Sequence, residues 1–440
     1  MSEPGTGPSV GSGRSEPVAP AGLLRAIRLR HAVALYVSSV LGSGILVLPG
    51  IAAHLAGPAS LVAWGFLAVA SLPFAVLFAS LSARRPETGG VCSFANEAFG
   101  RPAALTTGWL FAVWQVTGAP AVALIAAGYL AYAFPLDRPE TFGLAFAILF
   151  AAFAVNYRGI ALSSRVQLAV AATIVGLLVV AVAVAGGRVH ASNFAPFAPN
   201  GWWPVGTAAA LIFWSFLGYE NVSNVAEEFE DPRRDFRRAV YRSVAIVGGL
   251  YFAVAFVTVG TASYRSGASV APFAALLGGV LGRYAAAGTA LLAVVIVFAV
   301  VNAYTTGMSR VMQTTARDGG FPAVLARVDS RSHAPQAALL AFLVADAAVF
   351  GGYYLADIDL STALLVASGA AILVYVIGSA AGVRIYAREG RAARGLLAIA
   401  AFSLIASLVL LLFVGPPLAV AGGVAAATAT VFVLRRRAHA

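Results

Sequence analysis

Hydrophobic positions come in long blocks, and the polar, glycine and proline residues gather mainly between them. Stretches at or near the ~20 apolar residues that cross a ~30 Å hydrocarbon core recur twelve times. They cover approximately 32–54, 60–82, 103–133, 141–157, 166–187, 205–229, 239–262, 278–308, 335–355, 361–384, 394–414 and 417–434. Within lipid the backbone must satisfy its own hydrogen bonds, so apolar blocks of this length predict helices. The pattern therefore predicts an all-α integral membrane protein with twelve transmembrane helices. Residues 1–22, MSEPGTGPSVGSGRSEPVAPAG, have no apolar core and read as a disordered tail rather than a signal peptide.

Charge turns the pattern into a topology. Only 11% of residues are charged, against about 25% in soluble proteins. All 29 basic residues are arginine, with no lysine. With the N-terminus placed in the cytoplasm, only Arg138, Arg188, Arg265 and Arg283 fall in outward segments and the other 25 face inward. That asymmetry is the one the positive-inside rule requires, and a missing or extra helix would scramble it. Both termini are predicted to be cytoplasmic. The net charge of +11 thus reports membrane orientation and not a nucleic-acid partner. One cysteine, Cys92, permits no internal disulfide, and five scattered histidines offer no metal site. With no intramembrane His pair, H-x-x-H or Cys–His arrangement, the chain does not read as an enzyme, and no cofactor is predicted.

Two blocks carry breakers at their centres. Residues 40–50 read VLGSGILVLPG and residues 213–220 read FWSFLGYE. Glycine in a helix interior is disfavoured by about 1 kcal/mol and proline by about 3. Glycines that only let helices pack closely are common in membranes, but here the same Ser-x-Leu-Gly recurs, at Ser39–Gly42 and Ser215–Gly218. Five spans separate the copies, so the two segments cross in opposite directions, the sequence pointer to a transporter with inverted repeats. An interruption exposes backbone. The amides of Ser43, Gly44 and Ile45 would open a half-helix at its positive end, suited to a carboxylate. Carbonyls near Val40 and from Trp214 to Leu217 would suit an ammonium. Such a site fits a zwitterion.

These two stretches, with RRPETGGVCSFANEAFG, NYRGIALSSRVQ and SRVMQTTARDGGFP, give five ordered motifs. On them the chain resembles the amino acid/polyamine/organocation permease superfamily. Its motifs look closest to the methionine and branched-chain amino acid exporter branch and to the arginine/agmatine antiporter. The resemblance implies a LeuT-like fold: two five-helix inverted repeats, 23–187 and 188–384, with helices 1 and 6 broken. Two extra helices and a cytoplasmic tail follow at 385–440. It implies that Ser43 and Gly44 hold the substrate carboxylate, and that Val40, Trp214 and Leu217 meet the ammonium through main-chain carbonyls. The Trp214 ring would act as an aromatic gate, and Gln115, Ala119 and Val122 would shape the side-chain pocket. Ala119 followed by Pro120 stands where the arginine antiporter has asparagine, which favours a neutral, apolar substrate side chain.

Glu220 follows the second interruption and is the candidate proton carrier; a carboxylate there also suits the N-terminus of the second half-helix. Ile174 occupies the position at which some relatives place a lysine, so that proton device is absent. Thr305, Thr306 and Ser309 are the second candidate, as oxygens for sodium. The acids 227, 228, 230 and 231 beside Arg233 and Arg234 read as a solvated loop, or as a gate of ion pairs, and Asp346 as a helix-packing residue. The expected function is secondary transport of amino acids across the plasma membrane by alternating access, as exporter or exchanger. The alternatives are a transporter-like sensor or channel, and a permease for cationic amino acids or polyamines.

Overall fold

The computed structural model describes residues 40–84, 90–159, 164–218, 232–265, 268–332 and 334–438, together with 33 and 37, and no strand occurs among them. Glu220 and the acids at 227, 228, 230 and 231 lie outside the described residues. Fourteen α-helices follow one another among those described: α1 Gly44–Ala56, α2 Ser60–Arg84, α3 Val91–Phe99, α4 Arg101–Ala133, α5 Arg138–Tyr157, α6 Ser164–Gly186 and α7 Trp203–Ile212. Then come α8 Pro232–Gly260, α9 Pro272–Leu281, α10 Arg283–Arg317, α11 Gln336–Leu355, α12 Leu360–Arg388, α13 Arg394–Leu412 and α14 Leu418–Ala438.

Nine helical segments among the described residues are long and apolar enough to cross a membrane, and three shorter apolar helices accompany them. One of the nine, Gly44–Ser82, runs through α1 and α2. At 1.5 Å per residue it would be about 58 Å long, twice a hydrocarbon core, and it divides at the 3-10 turn Gly57–Ala59, where Gly57 has φ +61°.

One of the expected blocks is built differently from the prediction. Block 278–308 is not one helix. α9 ends at Leu281, Gly282 turns the chain with φ +86° and ψ 178°, and α10 begins at Arg283. The same device joins α3 to α4, where Gly100 has φ +87° and ψ 178° and Arg101 follows. Only glycine adopts that conformation readily. In the described part of block 205–229, expected to be broken, the α-helix ends at Ile212; a 3-10 turn, Phe213–Phe216, follows, then extended Leu217 and Gly218 with φ +119°.

Burial separates interior from periphery. α4 is the most enclosed of the long helices, and α5 and α13 the least. Large apolar side chains such as Val344, Ile405 and Leu412 point outward, as lipid-facing helices require. α1 is buried on every residue from Gly44 to Ala53, as befits a short helix that is apolar all round. Contacts at the helix ends join residues that the arginine pattern assigns to one side. Arg84 pairs with Glu97 (3.7 Å) and with Glu389, while Arg101 donates to the Asp318 carbonyl. On the opposite side Arg138 pairs with Asp357 (2.9 Å), and Arg188 donates to the Gly279 carbonyl (2.8 Å).

Candidate functional site

The 3-10 turn Phe213–Phe216 is held by its own period. Residues three apart eclipse in a 3-10 helix, so Phe213 and Phe216 share one side. Phe213 packs edge-on against Phe74 (5.7 Å) and Tyr375 (5.0 Å) from α2 and α12. Phe216 packs on Trp64 (6.2 Å) and Tyr251 (5.3 Å) from α2 and α8. Aromatic pairs of this kind contribute about 0.5–1.5 kcal/mol each beyond their buried area. With both phenyl rings anchored, Trp214 and Ser215 are directed elsewhere.

They are directed at the start of α1. A Cβ on Gly44 would lie 2.7 Å from Trp214 Cδ1 and 2.8 Å from Ser215 Oγ, so the two interruptions meet here. Ser43 is the N-cap but its side chain caps nothing. The first main-chain bond donated within this turn runs from the Leu46 amide to the Ser43 carbonyl (3.1 Å); the amides of Gly44 and Ile45 have no main-chain partner among the described residues. The hydroxyls of Ser43 and Ser215 are buried and likewise lack a hydrogen-bond partner there. Some of the acceptors are occupied. The Tyr251 hydroxyl donates to the Val40 carbonyl (3.2 Å), and the Leu217 amide donates to the Trp214 carbonyl (3.4 Å).

Beside this junction lies a pocket lined by Trp114, Gln115, Gly118, Ala119, Val122, Trp214, Val300, Val301 and Tyr304. Trp214 forms one wall and crosses the space between two helices, because a Cβ on Gly118 would lie 2.7 Å from its Cη2, at the far end of the indole from Gly44. Trp114 meets the Trp214 ring edge-on at 6.2 Å and the Tyr304 ring at 6.2 Å. Gln115 is the one amide in this lining, and its Nε2 donates to Thr305 Oγ1 (3.5 Å).

Of the residues singled out from the sequence, Gln115, Ala119, Val122 and Trp214 line the pocket, and Ser43 and Gly44 stand at the junction. Val40, Ile45 and Leu217 are buried near it without lining the pocket. Trp114, Gly118, Val300, Val301, Tyr304 and Ser215 were not anticipated. The first two could have been, since Trp114, Gly118 and Val122 are spaced four apart on the helix that carries Gln115 and Ala119.

The hydroxyls proposed for sodium have local partners. Thr306 Oγ1 donates to the Asn302 carbonyl (2.8 Å) and contacts Asn156 Oδ1, Ser309 Oγ donates to the Thr306 carbonyl (3.0 Å), and Thr305 accepts from Gln115. Among the described residues no group of three or more His, Cys, Asp or Glu could hold a metal. Asp346, on α11, is buried with Oδ1 unpartnered among them.

Comparison with known proteins decides the family. The amino acid permease family model matches residues 27–434. The chain belongs to the amino acid permease family. This permease is 33% identical over 367 residues to an uncharacterized amino acid permease, YecA, of Bacillus subtilis (strain 168), covering 83% of the chain and 87% of the relative. It is 31% identical over 370 residues to the L-methionine/branched-chain amino acid exporter YjeH of Escherichia coli (strain K12), with the same coverages. A branched-chain amino acid permease of B. subtilis, BcaP, is 29% identical over 323 residues, 69% of each chain. These relatives are permeases and an exporter, not enzymes. The family and the apolar helices make the protein a multi-pass membrane protein that takes amino acids.

Proposed function

We propose that this permease moves amino acids with neutral, apolar side chains across the plasma membrane by alternating access, as an exporter or exchanger. The observation that carries the reading is the junction of the two interruptions, Gly44 against Trp214 and Ser215, beside a pocket walled by indole, phenol and aliphatic groups. The amides of Ser43, Gly44 and Ile45, at the positive end of α1, receive the carboxylate. The carbonyls of Val40, Trp214 and Leu217 receive the ammonium; a carbonyl oxygen has two lone pairs, so the bonds from Tyr251 and Leu217 leave capacity at Val40 and Trp214. The substrate side chain enters among Trp114, Ala119, Val122 and Tyr304. No charged group lines that pocket, which argues against a cationic substrate. The printed activities of the E. coli exporter and the B. subtilis branched-chain permease point the same way.

The fold proposed to carry this is twelve spans with both termini cytoplasmic, as two inverted repeats, 23–187 and 188–384, followed by 385–440. The recurrence of short helix, glycine elbow and long helix at α3–α4 and α9–α10 supports such a repeat. A proton carried at Glu220 is the leading coupling ion, and sodium the second. Proteoliposomes preloaded with single unlabelled amino acids test the reading through uptake of labelled leucine and methionine, with and without pH and sodium gradients. Uptake is expected to be stimulated by internal leucine or methionine and not by internal arginine. No uptake under any gradient, or stimulation by arginine alone, overturns it.

A further inference from the structure

We propose that the Ser215 hydroxyl is a ligand for the substrate carboxylate, contributed by the second interrupted helix to an anion site whose main-chain donors come from the first. The inference rests on the functional reading above and adds to it a role for the Ser215 hydroxyl that the reading itself does not require.

Three observations converge. Ser215 is 1% exposed, and its Oγ has no hydrogen-bond partner among the described residues. Five other serine hydroxyls among the described residues share that state, Ser43 among them, so what singles out Ser215 is where its hydroxyl stands. The hydroxyl is aimed: it lies 2.8 Å from where a Gly44 Cβ would stand, at the opening turn of a 13-residue helix. That turn also holds the partnerless Gly44 and Ile45 amides and the partnerless Ser43 hydroxyl. All of these groups can donate, so the junction gathers donors around one point.

The sign of the field selects the ligand. A hydroxyl can either donate to a carboxylate or accept from an ammonium. Beside the N-terminus of a helix the potential is positive, so an ammonium is repelled there and a carboxylate is favoured. Ser215 is held in place by its neighbours on both sides, because Phe213 and Phe216 are fixed in aromatic clusters. Its hydroxyl is therefore preorganised, and a carboxylate bound to both Ser215 and the α1 amides ties the two interrupted helices together.

The test compares two probes that differ only at the carboxyl group: L-leucine and L-leucinamide, bound to the purified full-length permease. In Ser215→Ala, leucine affinity is expected to fall about tenfold, the scale of a hydrogen bond to a charged group, while leucinamide affinity changes less than about twofold. Ser215→Thr keeps the hydroxyl and is expected to retain the wild-type leucine-to-leucinamide ratio. Ser215→Cys, with a weak donor of similar size, is expected to behave as the alanine variant does and serves if that variant does not fold. Equal losses for both probes, or an unchanged ratio in the alanine or cysteine variant, overturn the assignment and leave the functional reading standing. A wild-type protein that binds neither leucine nor methionine overturns the functional reading and this assignment with it.

Discussion

Gly44 has no side chain because two others, Trp214 and Ser215, occupy the place where one would stand. Gly44→Val would put three carbons there. Overpacking of this kind costs about 1–3 kcal/mol, and at this position it would fall on the proposed substrate site. Leucine binding by the purified variant is expected to drop more than about tenfold, with membrane insertion and gel-filtration behaviour unchanged. Wild-type affinity would remove Gly44 from the site. Residues such as Ser43 and Gly44 were legible in the sequence because they interrupt an apolar run, whereas Gln115, Ala119 and Val122 came only from the family resemblance. Val300, Val301 and Tyr304 were not legible. An apolar residue on a transmembrane helix has the same identity whether it faces lipid, a neighbouring helix or a substrate, so the hydrophobic pattern that reveals a soluble core carries no contrast here. Ser215 was hidden for another reason: serine back-bonds to its own helix in many places, as Ser71, Ser80 and Ser243 do, and only the structure separates those from an unpartnered one.

At the scale of elements, helix ends show how local chemistry fixes the architecture. Asp359 caps α12: its Oδ1 accepts from the Thr362 amide (3.0 Å), its Oδ2 accepts from the Thr362 hydroxyl (2.6 Å), and Ser361 adds a third donor. Burial alone would raise the Asp359 carboxyl. The bonds from Ser361 and Thr362 outweigh it and hold the group below its ordinary value of 3.8. Losing such a cap costs about 1 kcal/mol. Because the folded-state value is lowered, the stabilisation is complete above the unfolded value and is lost as pH falls through the folded one. Asp359→Ala is therefore expected to melt below wild type at pH 6 and to approach it below about pH 3.8, in thermal unfolding of detergent-purified protein. A difference that persists at the lowest pH would assign the effect to something other than the charge. The elements themselves were largely readable, from the block at 60–82 to that at 417–434. The boundary inside 278–308 was not, because α9 is as apolar as a spanning helix and its end is set by the backbone angles of Gly282. The clue lay in repetition: Gly-Arg at Gly100–Arg101 and again at Gly282–Arg283 marks both elbows.

At the scale of the whole molecule, the ion pairs among the described residues are few and sit at helix ends. Arg84 joins α2 to α3 through Glu97 and to the end of α12 through Glu389, and it lies over the Tyr386 ring at 5.9 Å. These side chains are roughly a quarter to a third exposed, and such pairs contribute at most about 1 kcal/mol. Arg84→Gln is expected to lower the melting temperature by no more than about 2 °C, with a smaller difference at high salt, where screening weakens the pair. A fall of about 10 °C would mean that the cluster holds the helix bundle together. Apolar contact does that instead, through the enclosed α4 and its neighbours.

One ring has left its outline in two places far apart in the chain. The Trp214 indole reaches from Gly44 to Gly118, and each glycine yields room to an opposite end of it. Positions 44, 118 and 214 thus constitute a single volume divided three ways, and no one of them can grow unless another shrinks. A homologous protein with alanine at position 118 is expected to carry a shorter or displaced side chain at 214, with a cavity of different shape. Changes of specificity along this lineage are therefore expected to arrive as paired substitutions, not as single ones.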